Sequence, residues 1–265
     1  MRNAIVASLA LLIAAAAAGQ LVATRPSSQQ FLIPAAGAQP GNGGTFFRSD
    51  VTIINYRGAD QRVRLQWLPQ DVSGAGGVPV ETTIAAMSGI ASEDFVTTVM
   101  QRSGLGAILV TAIDATGAFD TRAQLVGTSR IWTPQPASSG TSSQSLPSIA
   151  TNDIGSSTVA ILGARRDARY RTNVGIVNLS NDVQSFQVAV FGSFGTETRP
   201  VDVQPLSMVL FAVPGSSSTL PLQIQVQNVT TVSRSSSFVA YASSVDNVTG
   251  DAWTTLGSNL PVPIP

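Results

Sequence analysis

Phe47-Arg48-Ser49-Asp50-Val51-Thr52-Ile53-Ile54-Asn55 returns 123 positions later as Tyr170-Arg171-Thr172-Asn173-Val174-Gly175-Ile176-Val177-Asn178. At the same spacing Gln61 meets Gln184, and the alternating apolar set Val63, Leu65, Trp67 meets Phe186, Val188, Val190. The match therefore runs through a loop into a second strand. Alternation of this kind puts apolar side chains on one face of a pleated strand, so Trp67 is expected in a core. Further blocks extend the likeness: Pro79-Val80-Glu81 with Pro200-Val201-Asp202, Ile108 to Asp114 with Val239 to Asp246, and Phe31 to Ala35 with Ala160 to Ala164. A period near 120 residues is a duplicated domain, because solenoid repeats run to roughly 20 to 50.

Short runs rich in Val, Ile, Thr and Phe fill each copy, among them the strictly alternating Leu222-Gln223-Ile224-Gln225-Val226-Gln227. Turn clusters such as Arg57-Gly58-Ala59-Asp60 and Leu179-Ser180-Asn181-Asp182 break them, and helical periodicity is nearly absent. The expected fold is all-β, two tandem antiparallel β-sandwich (Ig-like) domains behind an N-terminal signal helix. Residues 24–136 form the first domain, 137–157 a Ser/Pro-rich linker, and 158–265 the second domain. The final Leu260-Pro261-Val262-Pro263-Ile264-Pro265 lacks every second N–H and is expected to lie extended.

Residues 1–23 read as a secretory signal peptide. Arg2 supplies a positive start, Ala4 to Ala18 is interrupted only by Ser8, and small residues follow, with cleavage after Ala18 or Ala23. The apolar run is too short for a span of about 20 residues, so no membrane span is expected in the mature chain, which would be extracellular or periplasmic. With no cysteine anywhere, a lipid anchor on that residue is excluded.

Composition removes much chemistry. There is no Cys and no His, hence no disulfide, thiol nucleophile, common zinc ligand or usual general base. All fifteen basic residues are Arg, and fifteen acidic residues balance them. A nucleic-acid partner is therefore not expected, since phosphate binding needs a clustered positive excess. Serine is abundant, but a serine hydrolase would need His or Lys beside it. Glu93-Asp94 is the one adjacent carboxylate pair, and neighbours on a strand point to opposite faces. The Asp-rich loops Asp114 to Asp120 and Asp246 to Asp251 gather oxygen atoms but lack calcium-loop spacing, so they are expected as self-bonded turns, with no metal or cofactor.

Three stretches carry a resemblance: Ile33-Pro34-Ala35 leading through a Gly-rich loop to Phe47-Arg48-Ser49-Asp50, Leu162-Gly163-Ala164-Arg165-Arg166-Asp167 leading into Arg171 to Asn178, and Ala240-Tyr241-Ala242-Ser243-Ser244-Val245-Asp246-Asn247. They resemble a family of exported bacterial β-sandwich proteins over most of the mature chain. The resemblance implies fold and export, and no activity.

Four residues stand out as binding candidates. Arg48 and Arg171 occupy matching strand starts, and Trp132 and Trp253, placed after what read as corresponding hairpins, could offer a sugar-stacking platform. The expected function is a noncatalytic structural or adhesive protein of the cell envelope, an assembly subunit being one form of it. Its partners would be copies of itself or cell-surface components. The alternative is a secreted carbohydrate-binding module with a glycan as partner.

Overall fold

The computed structural model describes residues 27–41, 44–135, 139–154, 157–230 and 237–259. The signal peptide, both cleavage positions and the Pro-alternating C-terminus lie outside them.

The chain is all-β. Its first half runs through β1 (Gln30–Pro40), β2 (Phe46–Asn55), β3 (Gln61–Pro69), β4 (Val80–Ile84), β5 (Ser88–Ser92), one helical turn α1 (Phe95–Thr98), β6 (Gly104–Ile113), β7 (Leu125–Pro134), β8 (Thr141–Pro147) and β9 (Ile149–Ala150). A 3-10 turn at Thr151–Asp153 follows. The second half comprises β10 (Thr158–Ala164), β11 (Tyr170–Asn178), β12 (Gln184–Gly192), β13 (Gly195–Val203), β14 (Ser207–Ala212), β15 (Leu222–Asn228), β16 (Phe238–Asp246), β17 (Ala252–Leu256) and β18 (Ser258–Asn259).

In the first half β4, β3, β6, β1 and β9 lie side by side, facing a layer ordered β5, β2, β7, β8; the end of β1 also pairs with the start of β2 and so joins the two layers. In the second half the orders are β13, β12, β15, β10, β18 and β14, β11, β16, β17. Strand for strand, these orders match. Each half encloses its own core: Ile53, Leu65, Phe95 and Val110 in the first, Ile176, Phe186, Val190 and Phe238 in the second. Trp67 is buried in the first core, as its alternation predicts, and its ring lies against Gly106, where a Cβ would sit 2.4 Å from it. The first two strands of each half lie in opposite layers, whereas immunoglobulin domains keep their first two strands in one sheet.

The stretch 137–157, expected as a linker, is in its described part mostly strand. Ser142-Ser143-Gln144-Ser145 alternates about β8, which pairs along β7 from Thr128 to Pro134, while Ile149 and Ala150 add to the edge of β1. Polar composition misled here because an edge strand with one wet face needs few apolar residues.

Three of the sequence blocks are also out of register. Ile108 to Asp114 lies on β6 and Val239 to Asp246 on β16, which occupy different places in their halves; the strand placed like β6 is β15. Ile84 and Val203 are the true counterparts opposite Gln61 and Gln184, so Pro79 and Pro200 are offset by two positions. Phe31 matches Val159, one position from the pairing the sequence suggested, and the correspondence runs on unchanged through a one-residue bulge in each strand, at Ile33/Ala36 and Leu162/Ala164.

A third core lies between the halves. Leu32, Ala35, Leu68, Ala107 and Leu146 of the first half pack with Val177, Met208, Val239 and Tyr241 of the second, all buried. Fully burying one such large side chain contributes roughly 1.5–3 kcal/mol. Backbone contacts close the rim: Asp71 N–H donates to Met208 O at 2.9 Å and Gly74 N–H to Pro205 O at 3.0 Å. Gly74 has no substitute here, since a Cβ would stand 2.1 Å from Leu206 O.

Candidate functional site

Arg48 and Trp132 are directly opposed across β2 and β7, and strand alternation turns both to the outer face of that sheet. The Arg48 guanidinium carbon lies 5.8 Å from the centre of the Trp132 ring and 4.7 Å from that of Phe46, and Arg130 reaches Trp132 at 6.0 Å. Asp94 pairs with Arg48 and Asp50 with Arg130, each at 3.4 Å, and the indole N–H donates to Glu93 O at 2.9 Å. The Glu93-Asp94 pair holds this cluster together: Glu93 contributes a backbone oxygen and Asp94 a salt bridge through Oδ2, while Asp94 Oδ1 is buried without a partner.

Trp253 sits elsewhere. It lies on β17 opposite Ser244, a position matched in the first half by Gln144 of β8 opposite Ile131, while the counterpart of Trp132 is Val245. The two tryptophans are therefore not equivalent, because Trp253 follows its hairpin by a strand more than the blocks suggested. Its ring meets Tyr170 edge-on at 5.8 Å, and Arg165 and Arg169 both cover Tyr170 at 5.3 Å. The structure brings Arg48 and Trp132 together and puts Trp253 in a separate cluster, so the two rings form no common platform.

The Asp-rich loops are turns. Asp114 Oδ1 accepts from Thr116 N–H, Thr116 hydroxyl and Ala118 N–H, and Asp246 Oδ1 from Val248 N–H and Thr249 N–H. These bonds hold both carboxyls below their ordinary range, with the Thr116 hydroxyl leading for Asp114 and the Arg169 guanidinium for Asp246. No cluster of three or more carboxylates suited to a metal occurs among the described residues.

Arg171 is placed differently from Arg48. It lies on β11 at the mouth of a cleft of about 460 Å³ where the halves meet. Phe47, Thr133, Gln144, Asn173 and Ser243 share that lining, drawn from five strands across both halves. The Arg171 guanidinium donates to the Asn247 side-chain oxygen, and no ion pair holds it among the described residues. Gln144 is fixed by two neighbours: Ser243 hydroxyl donates to its Oε1 at 2.8 Å, and its Nε2 donates to Thr254 Oγ1 at 2.7 Å. The Thr133 hydroxyl is buried without a partner. Of this group the sequence singled out only Arg171, because residues scattered from Phe47 to Ser243 without a shared motif meet only through the packing of the halves.

Among the described residues no helix is long and apolar enough to cross a membrane. No protein-family model matches the chain, and no curated protein sequence matches it.

Proposed function

We propose that this is a noncatalytic, exported structural or adhesive protein of the cell envelope, built from two tandem β-sandwich modules of Ig-like architecture with their own strand order. The observation that carries the reading is the apolar core between the halves, which makes two modules one stiff body. Two modules joined through such a core suit display or load bearing. Several of its acidic side chains are engaged in ion pairs: Glu81 bridges Arg62 and Arg64 at 2.9 and 2.8 Å, and Asp120 bridges Arg57 and Arg122, both at 3.0 Å. The signal-like segment at residues 1–23 supports export, in line with the resemblance to exported bacterial sandwich proteins.

An assembly role has less support. The long edge strand β13 is almost wholly exposed, yet Glu197, Arg199, Pro200 and Asp202 give it the charges and missing N–H that discourage edge-to-edge pairing. The alternative, a carbohydrate-binding module using Trp132 and Trp253, is weakened by the separation of those rings.

The test expresses the full chain in a bacterial host and fractionates the cells. The expected result is a product shortened after Ala18 or Ala23, outside the cytoplasm and retained by envelope fractions. Full-length protein confined to the cytoplasm would sink export, and a processed product indifferent to every envelope fraction would sink the adhesive role.

A further inference from the structure

We propose that the cleft between the halves binds a short acidic saccharide, with a sugar carboxylate on Arg171 and sugar hydroxyls on the surrounding hydroxyl and amide groups. The space, about 460 Å³, falls in the range of small-ligand pockets. Among the described residues Arg171 is the only charged one in its lining, and it has a neutral partner, Asn247, so donors of its planar fork remain for an anion. A single guanidinium suits a carboxylate better than a polyphosphate.

The rest of the lining suits a polyol. Gln144, held at both ends by Ser243 and Thr254, is oriented before any ligand arrives, which lowers the entropy lost on binding. Thr133 also belongs to the cleft wall, with its hydroxyl buried behind the lining. Phe47 supplies a flat apolar surface for the C–H face of a sugar ring. Strand addition by a peptide would first have to displace the ties between the bordering edges β8 and β17, Gln144 to Thr254 and Thr254 hydroxyl to Ser145 O.

The inference does not rest on export or adhesion: its failure leaves the envelope reading standing, and mislocalisation leaves the cleft intact. The experiment titrates the purified full chain with trigalacturonate, using maltotriose as neutral control and triglycine as peptide-carboxylate control, read by calorimetry and amide shift mapping. The expected result is saturable binding of trigalacturonate, shifts centred on Thr133, Gln144, Asn173 and Ser243, and affinity at least about tenfold above either control. Arg171→Gln should weaken binding about tenfold or more, and Arg130→Gln on the outer face should leave it unchanged. Absence of saturation, shifts centred elsewhere, or equal binding of maltotriose or triglycine would overturn the proposal. So would an Arg171→Gln variant that keeps its melting temperature and its affinity. Should that variant unfold, the wild-type shift map and the two control ligands still decide the matter.

Discussion

Asn55 and Asn178 explain why the repeated nonapeptides end on the same residue. Asn55 Nδ2 donates to the carbonyls of Ala59, Ile84 and Ala85, and Asn178 Nδ2 to those of Asp182, Val203 and Gln204, so one fully buried amide locks two turns to a strand end in each half. Alanine would strand those carbonyls. Asn178→Ala should cost about 3 kcal/mol and Asn55→Ala a similar amount, read as a fall in urea midpoint at unchanged slope; a loss below about 1 kcal/mol would mean that water replaces the amide. Asp120 is a second anchor, only 5% exposed. The Arg122 guanidinium and then its backbone N–H hold this carboxyl far below the usual range, against the opposing effect of burial. Its folded-state value is depressed, so its contribution is whole above the unfolded value of about 4 and is lost progressively as pH falls from there towards the lower folded value. The stability gap between wild type and Asp120→Asn should therefore narrow from about pH 6 to about pH 2.5. A gap constant across that range would show that charge is not what Asp120 supplies.

At the scale of strands, the sandwiches were legible and their junction was not, although the signal was present. Strands wet on one face alternate, as in Leu222-Gln223-Ile224-Gln225-Val226-Gln227 of β15, with the Gln residues facing outward. Its counterpart β6 breaks that rule with Ala107-Ile108-Leu109-Val110, and β16 does so with Phe238-Val239-Ala240-Tyr241-Ala242. A run apolar at every position needs cover on both faces. Both strands contribute to the core between the halves, β6 through Ala107 and Leu109 and β16 through Val239 and Tyr241. The cleft gave no such warning, since Thr133, Gln144 and Ser243 are ordinary polar residues until packing assembles them. Within β11 and β16, Gly175 is opposite Tyr241, and a Cβ on it would lie 2.2 Å from the phenol ring. Gly175→Ala should cost about 2 kcal/mol by overpacking, and the double variant with Tyr241→Ala should cost less than the sum of the singles. Additivity in that cycle would place the strain elsewhere.

For the whole molecule, matching topology poses the question of why the modules stop at two. The second half docks by the outer face of β14, β11 and β16, where Met208, Val177, Val239 and Tyr241 are buried. The matching positions of the first half are Gly89, Ile54, Val126 and Thr128, flanked by the charged Asp50 and Arg130. The corner shows the same divergence: Met87 and Leu206 are counterparts with left-handed φ of 52° and 45°, yet Leu206 packs into the junction while Met87 is 67% exposed. On the receiving side, Leu109 and Ala107 of the first half become Gln225 and Gln223 in the second. The second half thus has a polar version of the receiving face, and the first half's version of the docking face lacks the bulk of Met208 and Tyr241, so the same surfaces do not favour repeating the junction into a filament. Its integrity should then decide whether the halves behave as one body. Met208→Asp buries an unpaired carboxylate at its centre, a cost of several kcal/mol, while leaving the separate cores around Ile53 and Ile176 untouched. The expected outcome is two resolved thermal transitions in place of one, faster tumbling by NMR relaxation, and a larger maximum dimension by small-angle scattering. A single transition with unchanged dimensions would mean that the hydrogen-bonded rim at Asp71 and Gly74, and not the apolar core, holds the halves together.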